Sequence, residues 1–297
     1  MKILVVGSKG FIGSHCFEYF NTRAEVWGCD VFTDYNEINF FLVDSFGADY
    51  HTVFQSQRFD VCVNCSGAAS VPDSLKAPLR DFELNVQNVV RLLESIRIYN
   101  PACKFINLSS AAVYGNPDKL PIAEAQRLNP ISPYGFHKWQ AEQICSEYAK
   151  FFNLRTCSLR IFSAYGPRLK KQLLWDVFKK TRDTSRLELF GTGDESRDYI
   201  FIDDIIRAIE VIIHKAPFTS DIFNVAGGEA ISTKTIASLL VASLGWRGDI
   251  IFTGKKRPGD PDEWKADLSK MEQLGFKPSI RLEDGIKFHA AWLRSLA

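Results

Sequence analysis

The chain carries almost no net charge: 36 lysines and arginines face 35 aspartates and glutamates over 297 residues, a formal +1 at pH 7. That balance gives no general electrostatic drive toward nucleic acid or an anionic membrane, so any anionic ligand must be met by local charges. Long hydrophobic runs are missing too. No stretch approaches the roughly 20 apolar residues needed to span a bilayer, and the opening MKILVVGSKG breaks into glycines too early for a secretory leader. The expected address is the cytoplasm, with no nucleic-acid or membrane partner. Internal repeats, low-complexity tracts and long linkers are absent, which excludes a solenoid or a tail-like organisation. Cysteine is sparse and odd in number at seven residues; five of them, Cys29, Cys62, Cys65, Cys103 and Cys157, fall in short apolar runs that read as buried strands. Reduced core thiols are expected. Cys62 and Cys65 in CVNC have redox-motif spacing, yet residues three apart in a strand point to opposite faces, so neither redox work nor a metal site is expected.

What is present is an ordinary globular composition, 46% apolar and 24% charged, in a chain long enough for a sizeable core and a second lobe. Short β-branched runs (KILVVG, EVWGCD, FFLVD, DVCVNCSG, KFINLSS, TCSLRIFS) alternate with helical segments. Continuous apolar strands between helices mean a parallel sheet covered on both faces. Residues 1–165 therefore read as one doubly wound α/β domain. After AYGPR the elements shorten, and residues 166–297 read as a smaller C-terminal α/β lobe, with the segment at about 198–220 rejoining the main sheet.

KILVVGSKGFIGSHCFEYF sets a strand, a glycine loop and a helix in that order, with Gly7, Gly10 and Gly13 three apart. The first glycine turns sharply, the second admits a pyrophosphate and the third packs helix on strand, while N–H groups at the helix start face the phosphates. The domain is thus Rossmann-type and dinucleotide-binding. Asp30 ends the second strand at the distance where a carboxylate takes the adenosine ribose hydroxyls and repels a 2′-phosphate, which favours NAD over NADP. Lys9, inside the loop, is the dissenting charge: a solvated loop lysine on one reading, a phosphate contact on the other. Asp44 closes the third strand where a carboxylate could meet the adenine edge, or where it simply ends the strand.

SPYGFHK places Tyr134 and Lys138 four residues apart, one above the other on a helix that Ser132 can cap and Pro133 can open. A phenol beside an ammonium is a possible acid/base device, and also a frequent accident of amphipathic helices. His137 reads as part of the helix surface. Strand ends in such sheets face the ligand crevice, which puts Ser109, Ser110 and Tyr114 where chemistry could happen.

With GSKGFIG, SGAAS, NVQNVVRLLE, SSAAVYG, SPYGFHK, FSAYGPR, GTGDESRDYIFIDD and RPGDPDEWKAD in this order along nearly the whole chain, the sequence resembles the extended short-chain dehydrogenase/reductase family, in its nucleotide-sugar epimerase and dehydratase branch. The resemblance implies Tyr134 as acid/base, Lys138 holding the nicotinamide ribose and lowering the phenol's pKa, and Ser110 bonding the reacting hydroxyl or carbonyl. It implies NAD contacts from Gly7, Gly10, Phe11, Ile12 and Gly13, from Asp30 and Asp44, from Ser66, Gly67, Ala68 and Asn85, and from Ser109, Tyr134, Lys138 and Phe162. For the substrate, a nucleotide sugar with a UDP-hexose foremost, it implies Arg197 and Arg257 on the diphosphate, with Ser110, Tyr134, Ser163, Arg168, Asp260 and Trp264 around the ligand. Arginine's planar fork suits phosphate oxygens. It also implies a homodimer through the helices of APLRDFELNVQNVVRLLESIR and SPYG, whose apolar faces could instead be spent on the sheet.

Departures narrow the reaction. Where the family's dehydratases carry Asp-Glu after the position of Ser110, and its decarboxylases a glutamate, this chain has Ala111 and Ala112. Dehydration needs an acid and a base beyond the tyrosine, and two methyl groups supply neither. Chemistry at one carbon is left: a 4-epimerase using NAD transiently, or a 4-ketosugar reductase using external reduced cofactor; a non-catalytic binder would need none of these residues. Ser163 replaces the family's usual asparagine, and Trp264 occupies the place that in UDP-galactose 4-epimerases gates N-acetyl groups. The nucleotide base stays open at this point.

Overall fold

A computed structural model describes residues 1–32, 38–44, 47–255, 257 and 259–296; Pro258 of the RPGDPDEW motif lies outside them. Strands are β1 (Lys2–Val6), β2 (Glu25–Asp30), β3 (Phe40–Leu42), β4 (Val61–Asn64), β5 (Lys104–Ser110), β6 (Arg155–Ile161), β7 (Ser163–Tyr165), β8 (Arg186–Leu189), β9 (Ser196–Phe201), β10 (Thr219–Val225), β11 (Ala230–Ser232) and β12 (Asp249–Phe252). Helices are α1 (Phe11–Asn21), α2 (Tyr50–Ser56), α3 (Val71–Lys76), α4 (Pro78–Phe82), α5 (Asn88–Tyr99), α6 (Pro133–Phe152), α7 (Gln172–Thr181), α8 (Ile202–Lys215), α9 (Thr233–Leu244), α10 (Ser269–Gln273) and α11 (Leu282–Arg294).

The main sheet runs β10-β6-β5-β4-β1-β2-β3, every pair parallel. Its apolar strands feed two cores. In β1, Ile3 and Val5 pack with Cys16 and Phe20 of α1 and the isoleucines of α8, while Leu4 and Val6 pack with Val53 and Phe54 of α2, Leu92 and Leu93 of α5, and Ala141 and Cys145 of α6. That alternation is the strand's period of two, and each fully buried aliphatic side chain is worth about 1.5–3 kcal/mol.

The chain rejoins this sheet later than the sequence suggests. Within 198–220, β9 pairs instead with β7 and β11 in a separate three-stranded sheet, and α8 returns along the face of the main sheet against α1. The strand that enters the sheet beside β6 is β10, at 219–225. Two features explain the difference. Ile202, Ile205, Ile206, Ile209, Ile212 and Ile213 recur at helical spacing and are buried. Asp198, wholly buried in β9, accepts the N–H groups of Gly227, Gly228 and Ala266 at 2.7–3.0 Å, which ties that strand to the small lobe. All seven cysteines are free thiols; Cys65 and Cys103 flank β4 and β5 rather than lying inside them.

His289 of α11 is fully buried beside Trp292, and neither ring nitrogen has a partner within bonding geometry; the Gly166 backbone is near enough only to offset part of the burial. Burial pushes its pKa down to about 4. The fold therefore holds the neutral ring, and stability present above the unfolded value of about 6.5 is lost as pH falls toward the folded value. Urea unfolding at pH 7.5 and pH 5 should show a loss of about 2 kcal/mol from this residue, and His289→Leu should remove that part of the pH dependence.

Candidate active site

Because β1 and β4 are neighbours from which the sheet is wound in opposite directions, their carboxyl ends open a crevice. Gly7 turns there with φ of 78°, and a Cβ on it would come within 2.7 Å of the Ser66 nitrogen. A Cβ on Gly13 would stand 1.9 Å from the Gly7 carbonyl oxygen, so helix and loop can touch only through glycine. Gly10 caps α1, which sends its first N–H groups into the crevice past Phe11 and Ile12. Asp30 lies at the end of β2, 8% exposed, and accepts the Lys9 and Val31 N–H groups at 2.8 and 2.7 Å, one on each oxygen. Each oxygen keeps a lone pair for a ribose hydroxyl. The Lys9 ammonium lies over the rings of Phe40 and Phe17, 5.2 and 6.0 Å from their centres, and Asp44 is exposed two residues beyond β3.

The next strand end supplies Ser66, whose hydroxyl bridges Asn64 and Asn88, then Gly67 and Ala68. Asn85 sits in a π-turn between α4 and α5, 2% exposed, with both amide atoms unpartnered and the carboxamide oxygen 2.5 Å from where a Cβ of Gly67 would be. A buried amide left unanswered at a strand end, over a glycine loop that a side chain would block, fits a dinucleotide laid across it.

Tyr134 and Lys138 follow on α6. Ser132 caps the helix by accepting the Gly135 N–H at 3.2 Å, and Pro133 occupies its first position, as the heptapeptide predicts. Lys138, 7% exposed, donates to the Leu108 carbonyl at 2.9 Å, and its nitrogen stands 5.9 Å from the centre of the Tyr134 ring. The Tyr134 hydroxyl meets Ser110, whose Oγ also accepts the Ala112 N–H at 3.1 Å. Burial pushes the Tyr134 phenol up to about 12, Ser110 working against it and the Asp81 carboxylate with it. Burial pulls Lys138 down to about 8, against the pull of Asp81, Cys65 and Glu142. Desolvation is the largest influence on the phenol, and Lys138 beside it is itself desolvated.

Other expectations also shift. The Ser109 hydroxyl points away from the crevice and donates to Glu142 at 2.5 Å, so its side chain is not available to a cofactor. Glu142 is gripped by the fully buried Arg160 at 2.7 and 2.9 Å, and Arg160 donates to the Tyr114 hydroxyl, which donates to Asn224. Tyr114 is therefore part of a buried polar girder, not a reacting group. Phe162 packs edge-on to Trp264, 5.9 Å apart, in a cluster with Ala111 and Ala112; Trp264 donates to the Gly115 carbonyl at 2.9 Å. Arg168, carried by φ of 73°, turns back onto α1, where it meets Glu18 at 2.7 Å and Ser14 at 3.3 Å. It borders a cavity of about 450 Å³ with Ser8, Lys9, Gly10 and Phe11, on the cofactor side rather than the substrate side. His137 is not on the helix surface but pairs with buried Asp81. Sequence reading missed Glu142, Arg160, Asp81 and Phe190; the signal for Arg160 was a charge inside an apolar strand.

Across the crevice, half-buried Arg197 donates to the carbonyls of Ser196 and Asp262 at 2.8 and 3.4 Å and lies over the Trp264 ring, its pKa lowered by burial. Arg257 lies 4.5 Å from the ring centre of exposed Phe190 and 3.8 Å from Asp176. Both guanidiniums act on Asp260, against the rise its own burial causes. Ser163 opens β7 beside Tyr199.

The sequence profile of the NAD dependent epimerase/dehydratase family matches residues 3–226. The chain belongs to that family. It is 29% identical to the UDP-glucose 4-epimerase of Lactobacillus helveticus, covering 98% of this chain and 96% of that one. The crystal structure of UDP-glucuronic acid 4-epimerase from Bacillus cereus, in complex with UDP-glucuronic acid and NAD, superposes over the whole of both chains with a TM-score of 0.91 at 28% identity. The UDP-N-acetylglucosamine 4-epimerase of Methanobrevibacter ruminantium, in complex with UDP-N-acetylmuramic acid, gives 0.90 at 25% identity over 100% of this chain and 99% of that one. The cofactor of this family member is NAD, and the glycine loop, Asp30 and Asn85 fit it.

Gly13→Ala should overpack the loop by about 1–3 kcal/mol. NAD affinity measured by calorimetry should fall at least about tenfold, with a lowered melting temperature.

Proposed function

We propose that the protein is an NAD-dependent UDP-sugar 4-epimerase that oxidises C4 of the sugar transiently, with Tyr134 as the acid/base. The observation that carries this reading is that Ser110 and Lys138 converge on Tyr134 while the neighbouring 3₁₀ turn presents only Ala111 and Ala112. With no acid or base on the turn that follows Ser110, Tyr134 can move one proton, to and from the 4-hydroxyl. NAD, when bound, supplies a hydride acceptor and donor at C4 and a positive charge beside the phenol. Such a charge would bring the phenol down from the free protein's value, and the half-buried Tyr134 would then serve as the base in the loaded enzyme. Ser110 orients the 4-oxygen, and Lys138 holds the nicotinamide ribose. The ketosugar then turns over within the crevice and takes its hydrogen back on the other face, so no cofactor is consumed.

Arg197 and Arg257 carry the diphosphate, and exposed Phe190 beneath Arg257 offers a flat face on which a pyrimidine can stack. UDP is the nucleotide the relatives' names favour. Trp264, held by Gly115 and packed on Phe162, makes a bulky wall that works against N-acetylated sugars. Leu79 and Phe82 of α4 and Phe136 of α6 are exposed apolar side chains on neighbouring helices, which supports a homodimer through this face. Among the described residues no helix is long and apolar enough to cross a membrane, and we place the enzyme in the cytoplasm.

A panel of UDP-hexoses and UDP-hexuronates followed by NMR should show inversion at C4 with catalytic NAD alone; a requirement for stoichiometric NADH would overturn the epimerase reading. Tyr134→Phe should lower kcat by about 10²–10⁴-fold while NAD still binds. Sedimentation should give a dimer that Phe136→Glu dissociates.

A further inference from the structure

Asp81 and His137 are a buried titratable pair to which the reading above gives no task. His137 follows Tyr134 by three residues, so the two leave α6 on the same face. Its Nδ1 meets Oδ2 of Asp81, on α4, at 2.5 Å, with the two side chains only 12% and 3% exposed. The other carboxylate oxygen of Asp81 is buried with no hydrogen-bond partner. Half of a buried carboxylate left unanswered is costly unless a cation faces it, and the cation at hand is Lys138. Of the groups that act on Lys138, Glu142 is taken by Arg160 and Ser109, and Cys65 is a free cysteine rather than a carboxylate. Tyr134 is faced by Ser110 and by the same Asp81. Asp81 is thus the one carboxylate, among the described residues, that acts on both members of the pair, and one of its oxygens is without a hydrogen-bond partner.

We infer that Asp81 and His137 form a charged brace behind the Tyr134–Lys138 pair, Asp81 keeping Lys138 an ammonium and His137 holding Asp81 in place. Both are positioning residues, and the inference rests on Tyr134 being the acid/base. Without the Asp81 charge, Lys138 releases its proton at lower pH and so does Tyr134, since one negative charge holds both protons on. Both limbs of the pH profile then move the same way, which loss of packing alone cannot do.

The test is the pH dependence of kcat/KM for UDP-sugar epimerisation in Asp81→Asn, His137→Leu and His137→Gln. Asp81→Asn should move both limbs toward acid by about one pH unit, so that turnover changes about tenfold in opposite senses on the two limbs. His137→Leu should do the same, because Asp81 loses the one side chain that fixes its Oδ2; His137→Gln, which can donate to Asp81, should restore the wild-type profile. Limbs that stay in place while activity drops uniformly would overturn the brace, as would a Gln variant no better than Leu. If Asp81→Asn does not fold, as judged by its melting curve and NAD content, the Leu and Gln variants carry the same comparison. Phenolate absorbance of the NAD-loaded enzyme, taken as the difference from Tyr134→Phe, gives the titration without turnover and should shift in parallel. Full activity in Tyr134→Phe would remove the acid/base reading itself, whereas an inactive Tyr134→Phe with unmoved limbs in the other variants would sink only the brace.

Discussion

Seven parallel strands end on one edge, and the rest of the molecule depends on that constraint. Because every strand runs the same way, residues as distant in sequence as Gly7, Asp30, Ser66, Ser110 and Phe162 are delivered to a single rim. Helices on both faces then close the sheet, and the crossing between β1 and β4 leaves the opening in which a dinucleotide can lie. The small lobe completes the crevice with Arg197, Arg257 and Trp264, and it is anchored to its own strand β9 through the wholly buried Asp198.

Desolvation governs the chemistry at that rim. Tyr134 and Lys138 are both pushed toward their neutral forms by burial. On the proposed reading, a positive charge brought by the oxidised cofactor would favour the phenolate, and proton transfer would then be coupled to occupancy by NAD. Beneath the pair, Glu142 and Arg160 neutralise each other with every polar atom engaged in short bonds. A paired buried charge of this kind adds little net stability, but it ties α6 to β6 and thereby holds the helix that carries the reacting groups.

Legibility in the sequence followed the range of the interactions. The glycine loop, the cap and proline that start α6, and the Tyr-Lys spacing are local, set by backbone geometry within a few residues, and the structure reproduces them. Asp30 was also readable, because a strand end after a fixed helix length leaves little freedom. Ser109 and Ser110 are adjacent and look alike, yet strand alternation sends one to Glu142 and the other to Tyr134. Arg168 sits in the same motif as Ser163, but a left-handed backbone turns it toward α1. His137 looked like a helix surface because Asp81, which buries it, lies 56 residues away.

The sequence by itself therefore determined the fold class, the family and the cofactor, all of which rest on short-range patterns repeated in a recognisable order. Only the tertiary structure decided which strand rejoins the sheet, which serine meets Tyr134, which arginine turns back onto α1 and which acid pairs with His137. Those outcomes depend on long-range partners and on burial, since a side chain's charge state and direction are set by what the rest of the chain packs against it.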